Sequence, residues 1–234
     1  MVDKLAIVTG ASRGIGATIA KELSENGFIV LLLARHADGL NQVAGYLQAE
    51  GGAAHAIPAD ISKKEDVAKV IEFVKNFNGE LALLVHNAGI AKVGKLENMS
   101  LEDWQKTLDI NLTGPFLLTQ GLLPYIRENG QIIFINSVSG KQTFPEWGAY
   151  STTKFGLRAF AETLRQEVAQ RNIRVTSIYP ASVNTGMHDE LPYDWDRNKM
   201  MKAIDIANAV IYCIKQRPNI QINEIDLANI AGTF

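Results

Sequence analysis

The sequence predicts an α/β fold: one doubly wound parallel sheet of about seven strands with helices on both faces. Short apolar runs alternate with helical patterns along the whole chain, the order that lays helices over both faces of a parallel sheet. The 234 residues are 47% hydrophobic, enough for one substantial core. No proline- or glycine-rich linker divides them, so residues 1–234 are expected to form a single domain.

The first strand is expected at Leu5–Thr9, an apolar run closed by Gly10-Ala11-Ser12-Arg13-Gly14-Ile15-Gly16. A helical pattern then runs from Ala17 to about Asn26. Glycines at such a turn let backbone N–H groups approach a pyrophosphate, and the helix N-terminus adds partial positive charge. The spacing is G-x-x-x-G-x-G rather than G-x-G-x-x-G, so the strand–turn–helix context carries the inference. Further strands are expected at Phe28–Ala34, Ala53–Pro58, Leu81–His86, Gln131–Ser137, Arg174–Tyr179 and Ile222–Leu227. Helical patterns fill the intervals, including Lys63–Phe77, Leu101–Arg127, Gly148–Gln170 and Ile204–Lys215. Pro115 and Pro124 fall inside Leu101–Arg127, where a bend or interruption is expected.

The end of the second strand bears on which dinucleotide fits. An acidic residue there holds the adenosine ribose hydroxyls of NAD, whereas an arginine accommodates the extra phosphate of NADP. This chain has Arg35, then His36, and no carboxylate before Asp38; Arg13 is placed on the same adenosine side. Two cations with fork geometry suit a phosphate, so NADP(H) is expected. The alternative reading is two solvated surface arginines.

Ser137, Tyr150 and Lys154 carry the chemistry. A phenol has a reference pKa of about 10 and is a poor proton donor–acceptor near neutrality. Lys154 lies one helical turn beyond Tyr150, so the two share a helix face and the ammonium favours phenolate. Making the phenol ten times more acidic takes about 1.4 kcal/mol of differential interaction, so reaching the physiological range needs a second cation. The ring of an oxidised nicotinamide would supply it.

Thr9–Gly16 (TGASRGIG), Asn87-Ala88-Gly89, Asn111, Ser137 and the Y-x-x-x-K of Tyr150 and Lys154 together resemble the short-chain dehydrogenase/reductases, from Lys4 to about Leu227. The resemblance implies a Rossmann-type fold and a compact NADP(H)-dependent oxidoreductase. It implies that Tyr150 exchanges the proton, that Lys154 lowers its pKa and binds the nicotinamide ribose, and that Ser137 donates to the substrate oxygen. Asn111 would hold a water linking Lys154 to solvent. Gly10, Ser12, Arg13, Gly14, Ile15 and Gly16 would cradle the cofactor, with Arg35 at the phosphate and Asp60 and Ile61 at the adenine. Asn87, Ala88 and Gly89 would flank the adenosine, and Pro180, Val183 and Thr185 would meet the nicotinamide. Two positions depart from the family pattern: His86 stands where asparagine is usual before N-A-G, and Ala181 where glycine is usual after the proline. His86 reads as a strand-end residue with a satisfied ring; Ala181 narrows the turn beside the nicotinamide.

A net charge of −2 gives no reason to expect nucleic acid. The single cysteine, Cys213, reads as core, and the four histidines show no metal-ligand spacing, so no metal is expected. With no signal peptide and no apolar stretch approaching ~18 residues, a cytoplasmic protein without a membrane span is expected. Phe144, Trp147, Met187, Tyr193 and Trp195 fall in loops at the carboxyl edge of the sheet and read either as an apolar substrate pocket or as loop or subunit packing. Asp189, Glu190, Asp194 and Asp196 read as a solvated face that weakens docking of an acidic carrier protein. Arg127, Arg165, Arg171 and Arg174 are candidates for a basic patch near the opening.

The expected activity is NADPH-dependent reduction of a ketone or aldehyde. The resemblance makes a 3-oxoacyl thioester, as in a 3-oxoacyl-[acyl-carrier-protein] reductase, the leading named substrate, with a small free carbonyl close behind. The alternative is an NADP(H)-binding sensor or scaffold, which predicts a missing proton-transfer residue. The resemblance also implies a homodimer or homotetramer, with Leu101–Arg127 and Gly148–Gln170 pairing across a two-fold axis.

Overall fold

The computed structural model describes residues 2–230, so position 1 and positions 231–234 of the expected domain lie outside the described residues. Seven parallel strands form one sheet: β1 (Lys4–Thr9), β2 (Ile29–Ala34), β3 (Ala54–Pro58), β4 (Glu80–His86), β5 (Ile126–Ile135), β6 (Arg174–Pro180) and β7 (Glu224–Leu227). Their order is β3-β2-β1-β4-β5-β6-β7. The chain therefore winds outward from β1 to β3 and then returns to β4 on the other side of β1. Such a reversal opens a crevice above the carboxyl ends of the two central strands.

Successive residues of a strand face opposite sides of the sheet, and both sides are buried here. Ala6, Val8, Val30 and Leu32 face a core shared with Ile19, Leu23, Ile206 and Val210. These last four lie on α1 (Gly14–Glu25) and α7 (Ala203–Ile214), which cover this side together with α2 (Ala37–Ala49). Leu5, Ile7, Leu31 and Leu33 face the opposite core, with Val70, Leu118, Leu122 and Leu157. That side is covered by α3 (Lys64–Asn76), α4 (Leu101–Leu108), α5 (Gly114–Leu122) and α6 (Gly148–Glu167).

The expected helix over Leu101–Arg127 is divided in three. Between α4 and α5 the backbone widens into a π turn over Asp109–Thr113, and a single 3-10 turn follows at Leu123–Tyr125. Pro115 occupies the first turn of α5, where its missing N–H is tolerated. It cannot return a hydrogen bond to the carbonyl of Asn111 four residues earlier, so that carbonyl lacks its ordinary helical partner. The π turn thus sits at a residue the sequence singles out, a common place for such turns.

β5 begins five residues before the expected Gln131. Leu81 pairs with Ile126 and Leu83 with Gln131, so Arg127–Gly130 loop out between the two pairings. Asn129 takes a positive φ of 60° in that excursion, which explains why the polar stretch escapes an apolar-run reading. No helix among the described residues is long and apolar enough to cross a membrane.

Candidate active site

A cavity of about 1000 Å³ lies at the carboxyl edge of the sheet. Gly10, Ser12, Arg13, Gly14, Ile15, Arg35, Asp60, Ile61, Asn87, Ala88 and Gly89 line one end. Ser137, Tyr150, Lys154, Pro180, Val183 and Thr185 line the middle. Among the expected site residues, Gly16 and Asn111 support this wall from behind.

The glycine turn is built around one hydroxyl. Thr9 Oγ1 accepts from the backbone N–H groups of Asn87 and Ala88, each at 2.9 Å, and so ties the end of β1 to the end of β4. Asn87 Nδ2 answers by donating to the Thr9 carbonyl at 2.9 Å. Gly10 adopts φ 65°, a left-handed conformation that glycine tolerates without cost. A Cβ on Gly16 would overlap the Gly10 carbonyl oxygen, so α1 can cross this closely only without a side chain there. No side chain caps the N-terminus of α1, and its first turn carries no acidic residue. Those N–H groups and their dipole face the cavity, the arrangement that receives a phosphate.

At the adenosine end Arg35 follows β2 and, among the described residues, makes no ion pair. Asp60 is turned into its own loop: its Oδ1 accepts from Ser62 N at 3.1 Å and Ser62 Oγ at 2.6 Å. Ile61 packs on Gly114, where a Cβ would sit 2.8 Å from its side chain, joining this end of the cavity to the start of α5. Arg13 lines the same cavity as Arg35. Its guanidinium reaches across the cleft to Glu190 Oε1 at 2.8 Å, an exposed pair to a loop after β6.

Ser137 lies two residues beyond β5, short of the expected strand end, and caps a 3-10 turn, its Oγ accepting from Ser139 N at 3.1 Å. Tyr150 and Lys154 lie in the first two turns of α6, both buried. Lys154 Nζ donates to the Ile135 carbonyl at 3.1 Å and stands 5.5 Å from the Tyr150 ring centroid. Burial pushes the phenol up to about 12, against a hydrogen bond with Ser137 that lowers it. Burial also brings the Lys154 ammonium down to about 8. One ammonium in a desolvated site therefore does not free the phenol for neutral-pH exchange; a second positive charge is required, as the phenol's reference value implies.

Asn111 is oriented by a neighbouring main chain. Its Oδ1 accepts from Ile90 N and its Nδ2 donates to Ile90 O, each at 2.8 Å, with Thr153 Oγ1 a further 3.1 Å acceptor. Both ends of the amide are thus occupied. The Asn111 main chain lies in the π turn, and Pro115 withholds the ordinary helical donor from its carbonyl.

The short chain dehydrogenase profile matches residues 4–195 of this chain. The chain belongs to the short-chain dehydrogenase family. An uncharacterized oxidoreductase of Staphylococcus epidermidis is 33% identical over 227 residues, covering 96% of each chain. A short chain dehydrogenase from Burkholderia cenocepacia in complex with NADP superposes with a TM-score of 0.89 at 28% identity, over 97% of this chain and 96% of that one. An alcohol dehydrogenase from the archaeon Thermococcus sibiricus complexed with 5-hydroxy-NADP gives 0.91 at 28% identity, over 98% and 97%.

Within this short-chain dehydrogenase the two departures sit differently. His86 does not line the cavity. It is buried, stacks on Phe134 with centroids 4.8 Å apart, and meets Thr119 Oγ1 through Nε2 at 2.8 Å. Burial drives it down to about 3, so it is neutral, and its Nδ1 is left without a partner among the described residues. The expected satisfied ring is thus satisfied at one nitrogen. Ala181 is held by its N–H donating to Leu227 O at 2.8 Å, beside the nicotinamide end.

The arginine patch is a correction. Arg127, Arg165, Arg171 and Arg174 do not line the cavity. Arg174 begins β6, at the opposite end of the sheet, and donates to Cys213 O. Arg171 ties down the carbonyls of Leu123 and Ile126, Arg165 those of Val175 and Asn223, and Arg127 pairs with Glu80. Their fork geometry is spent on chain crossings.

Phe144, Trp147, Met187, Tyr193 and Trp195 do line the cavity, beyond Tyr150. Glu146 among them carries no signal in the sequence. It takes φ 69°, a left-handed conformation that costs a non-glycine residue about 1–3 kcal/mol and persists where its surroundings hold it.

Proposed function

We propose that this chain is an NADP(H)-dependent carbonyl reductase acting on a ketone or aldehyde, built as one cofactor-binding domain over residues 1–234. The observation that carries the reading is the convergence of Ser137, Tyr150 and Lys154 on the wall of a cavity whose far end is an uncapped helix N-terminus and an unpaired Arg35. The fit of a dinucleotide rests on the glycine turn and the uncapped start of α1, which Gly16 lets cross close behind Gly10.

Gly10, Ser12, Gly14 and Ile15 would hold the pyrophosphate on the α1 N–H groups, with Arg35 against the ribose phosphate and Asp60 and Ile61 against the adenine. Asn87, Ala88 and Gly89 form the adenosine-side wall; Pro180, Val183 and Thr185 face the nicotinamide. NADPH, when bound, would supply the hydride, and its oxidised ring would carry the second positive charge that favours phenolate. Ser137 donates to the carbonyl oxygen and stabilises the charge that develops there. Tyr150 delivers the proton to that oxygen, and Lys154 supports the phenolate that remains. The open Asn111 carbonyl would hold a water through which Lys154 and Tyr150 are reprotonated.

A small free carbonyl is preferred here to a 3-oxoacyl-[acyl-carrier-protein]. The loop over the substrate end carries Asp189, Glu190, Asp194 and Asp196 against Arg197 and Lys199, and the arginines that would have drawn an acidic carrier lie at the other end of the sheet. Exposed Leu101, Phe116 and Phe155, on α4, α5 and α6, support a cytoplasmic homodimer or homotetramer joined through these helices.

The test is oxidation of NADPH, with NADH in parallel, over 3-oxoacyl thioesters, free ketones and aldehydes. Turnover of free carbonyls with NADPH is expected. Tight NADPH binding without turnover of any substrate would replace the reductase by a sensor.

A further inference from the structure

Beyond Ser137 and Tyr150 the cavity is built from rings and a carboxylate. Trp147 meets Tyr150 edge-on, with centroids 5.4 Å apart, and lies parallel to Tyr193 at 6.4 Å. Trp195 closes the group, 5.5 Å from Tyr193 and nearly perpendicular to it. Glu146 stands among these rings, its Oε2 accepting from Tyr193 Oη at 2.7 Å. That hydroxyl is its partner; among the described residues no lysine or arginine pairs with it. The backbone fixes the carboxylate in place, since Glu146 holds its left-handed φ while its carbonyl accepts from Gly94 N at 2.8 Å.

The charge on this wall has one sign. The basic lining residues Arg13, Arg35 and Lys154 belong to the glycine turn, the end of β2 and the proton-transfer pair. Arg13 is taken up by Glu190. His188, against Trp195, is held toward its neutral form by burial and by Arg197. A carboxylate set among tryptophan and tyrosine rings attracts an organic cation through its charge, and the rings add their quadrupoles. An anionic substrate would meet no counter-charge there.

We propose that this pocket selects a carbonyl compound carrying a quaternary or protonated amine, seated on Trp147, Tyr193 and Trp195 against Glu146. The inference rests on the reductase reading for its chemistry and on the ring–carboxylate group for its binding. No bond changes at the cation; it anchors the substrate so that the carbonyl reaches Tyr150 and Ser137.

Three methyl ketones test it: one with a trimethylammonium group three methylenes from the carbonyl, its tert-butyl isostere, and the corresponding carboxylate. With NADPH the cationic ketone should exceed its isostere in kcat/KM by about tenfold, with the carboxylate lowest. Glu146→Gln should bring the cation-to-isostere ratio toward one, whatever the absolute rates. Equal wild-type rates for cation and isostere, or a ratio unchanged by Glu146→Gln, would overturn the proposal and leave the reductase standing. Calorimetric titration with butyltrimethylammonium, which has no carbonyl, separates the two readings. Binding weakened by Glu146→Gln, without turnover of any ketone, would keep the cation pocket and remove the reductase; no binding would overturn the pocket.

Discussion

The two walls of the cavity are held by different forces. On the cofactor wall, Thr9, Asn87 and Ala88 share a short, partly buried hydrogen-bond set, and Gly16 lies against the Gly10 carbonyl with no room for a methyl. On the substrate wall, residues 182–200 pack through buried Val183, Leu191 and Met200 and the rings of Tyr193 and Trp195, but their rim is made of pairs between exposed side chains: Arg13–Glu190, Arg197–Asp189 and Lys199–Asp196. The close packing at Gly16 leaves little alternative geometry, whereas exposed ion pairs contribute only about 0–1 kcal/mol each. A dinucleotide is the same molecule in every cycle and suits a rigid mould; a wall rimmed by weak pairs can admit and release a variable partner.

The sharpest break in this contrast is at the junction of the walls. Tyr150→Phe should lower turnover by about 10³-fold or more, while NADPH affinity, measured by fluorescence titration, stays within about threefold. Retained turnover would remove Tyr150 as the acid. Gly16→Ala tests the rigid wall: the new methyl overlaps the Gly10 carbonyl, so α1 must shift, at a cost of about 2–4 kcal/mol. Chemical denaturation and NADPH titration should both register the loss; normal stability with normal affinity would contradict the mould.

Lys154 sharpens the comparison through pH. Its folded-state value falls from 10.5 to about 8, so below pH 8 both folded and unfolded chains carry the proton and the folded state bears the full desolvation cost. Between about 8 and 10.5 the folded state releases its proton first, and wild-type stability rises with pH through that window. Lys154→Met should therefore be inactive yet more stable than wild type at neutral pH, by up to about 3 kcal/mol, with the advantage fading above pH 8. Thermal melts across that range in the absence of cofactor check it; a pH-independent difference would mean that folding leaves the lysine at its ordinary value.

Smaller effects follow at the cavity ends. Arg35→Asp should move preference from NADPH toward NADH by roughly 10–100-fold in the ratio of kcat/KM, the worth of a charge-assisted phosphate contact. An unchanged ratio would take Arg35 out of the phosphate site. Glu190→Gln should alter NADPH affinity by no more than about threefold, because it frees an exposed Arg13. A tenfold change would show that the loop and the cofactor compete for that guanidinium.

The sequence made the rigid wall readable and left the weak one obscure. Leu5–Thr9, the glycine spacing, Asn87–Gly89 and the Tyr150–Lys154 turn are short-range patterns imposed by backbone sterics and helix period, and they carry through to the sheet order and the cavity. Pro115 announced a break between Leu101 and Arg127, though not the π turn, which depends on Asn111 gripping the Ile90 backbone from another segment. Arg13 belongs to the glycine turn, but its pairing with Glu190 escapes any local pattern because the two lie 177 residues apart. Glu146 carried no sign at all, since a left-handed glutamate breaks local preference and is held from Gly94. The arginines misread as a patch show the same limit: charge is visible in a sequence, but which end of a sheet it decorates follows from topology.

The Thr9 hydroxyl also bears on how the protein is made. Thr9 leaves the ribosome well before its two N–H partners, which lie 78 and 79 residues further along the chain. β1 emerges with β2, but the nucleotide mould stays unfinished until β4 has been synthesised and inserted beside β1. Closing so long a loop is slow relative to local helix formation. Competence to hold a dinucleotide is therefore a late acquisition in the life of each chain, and the cofactor meets only molecules whose central strands are already in place.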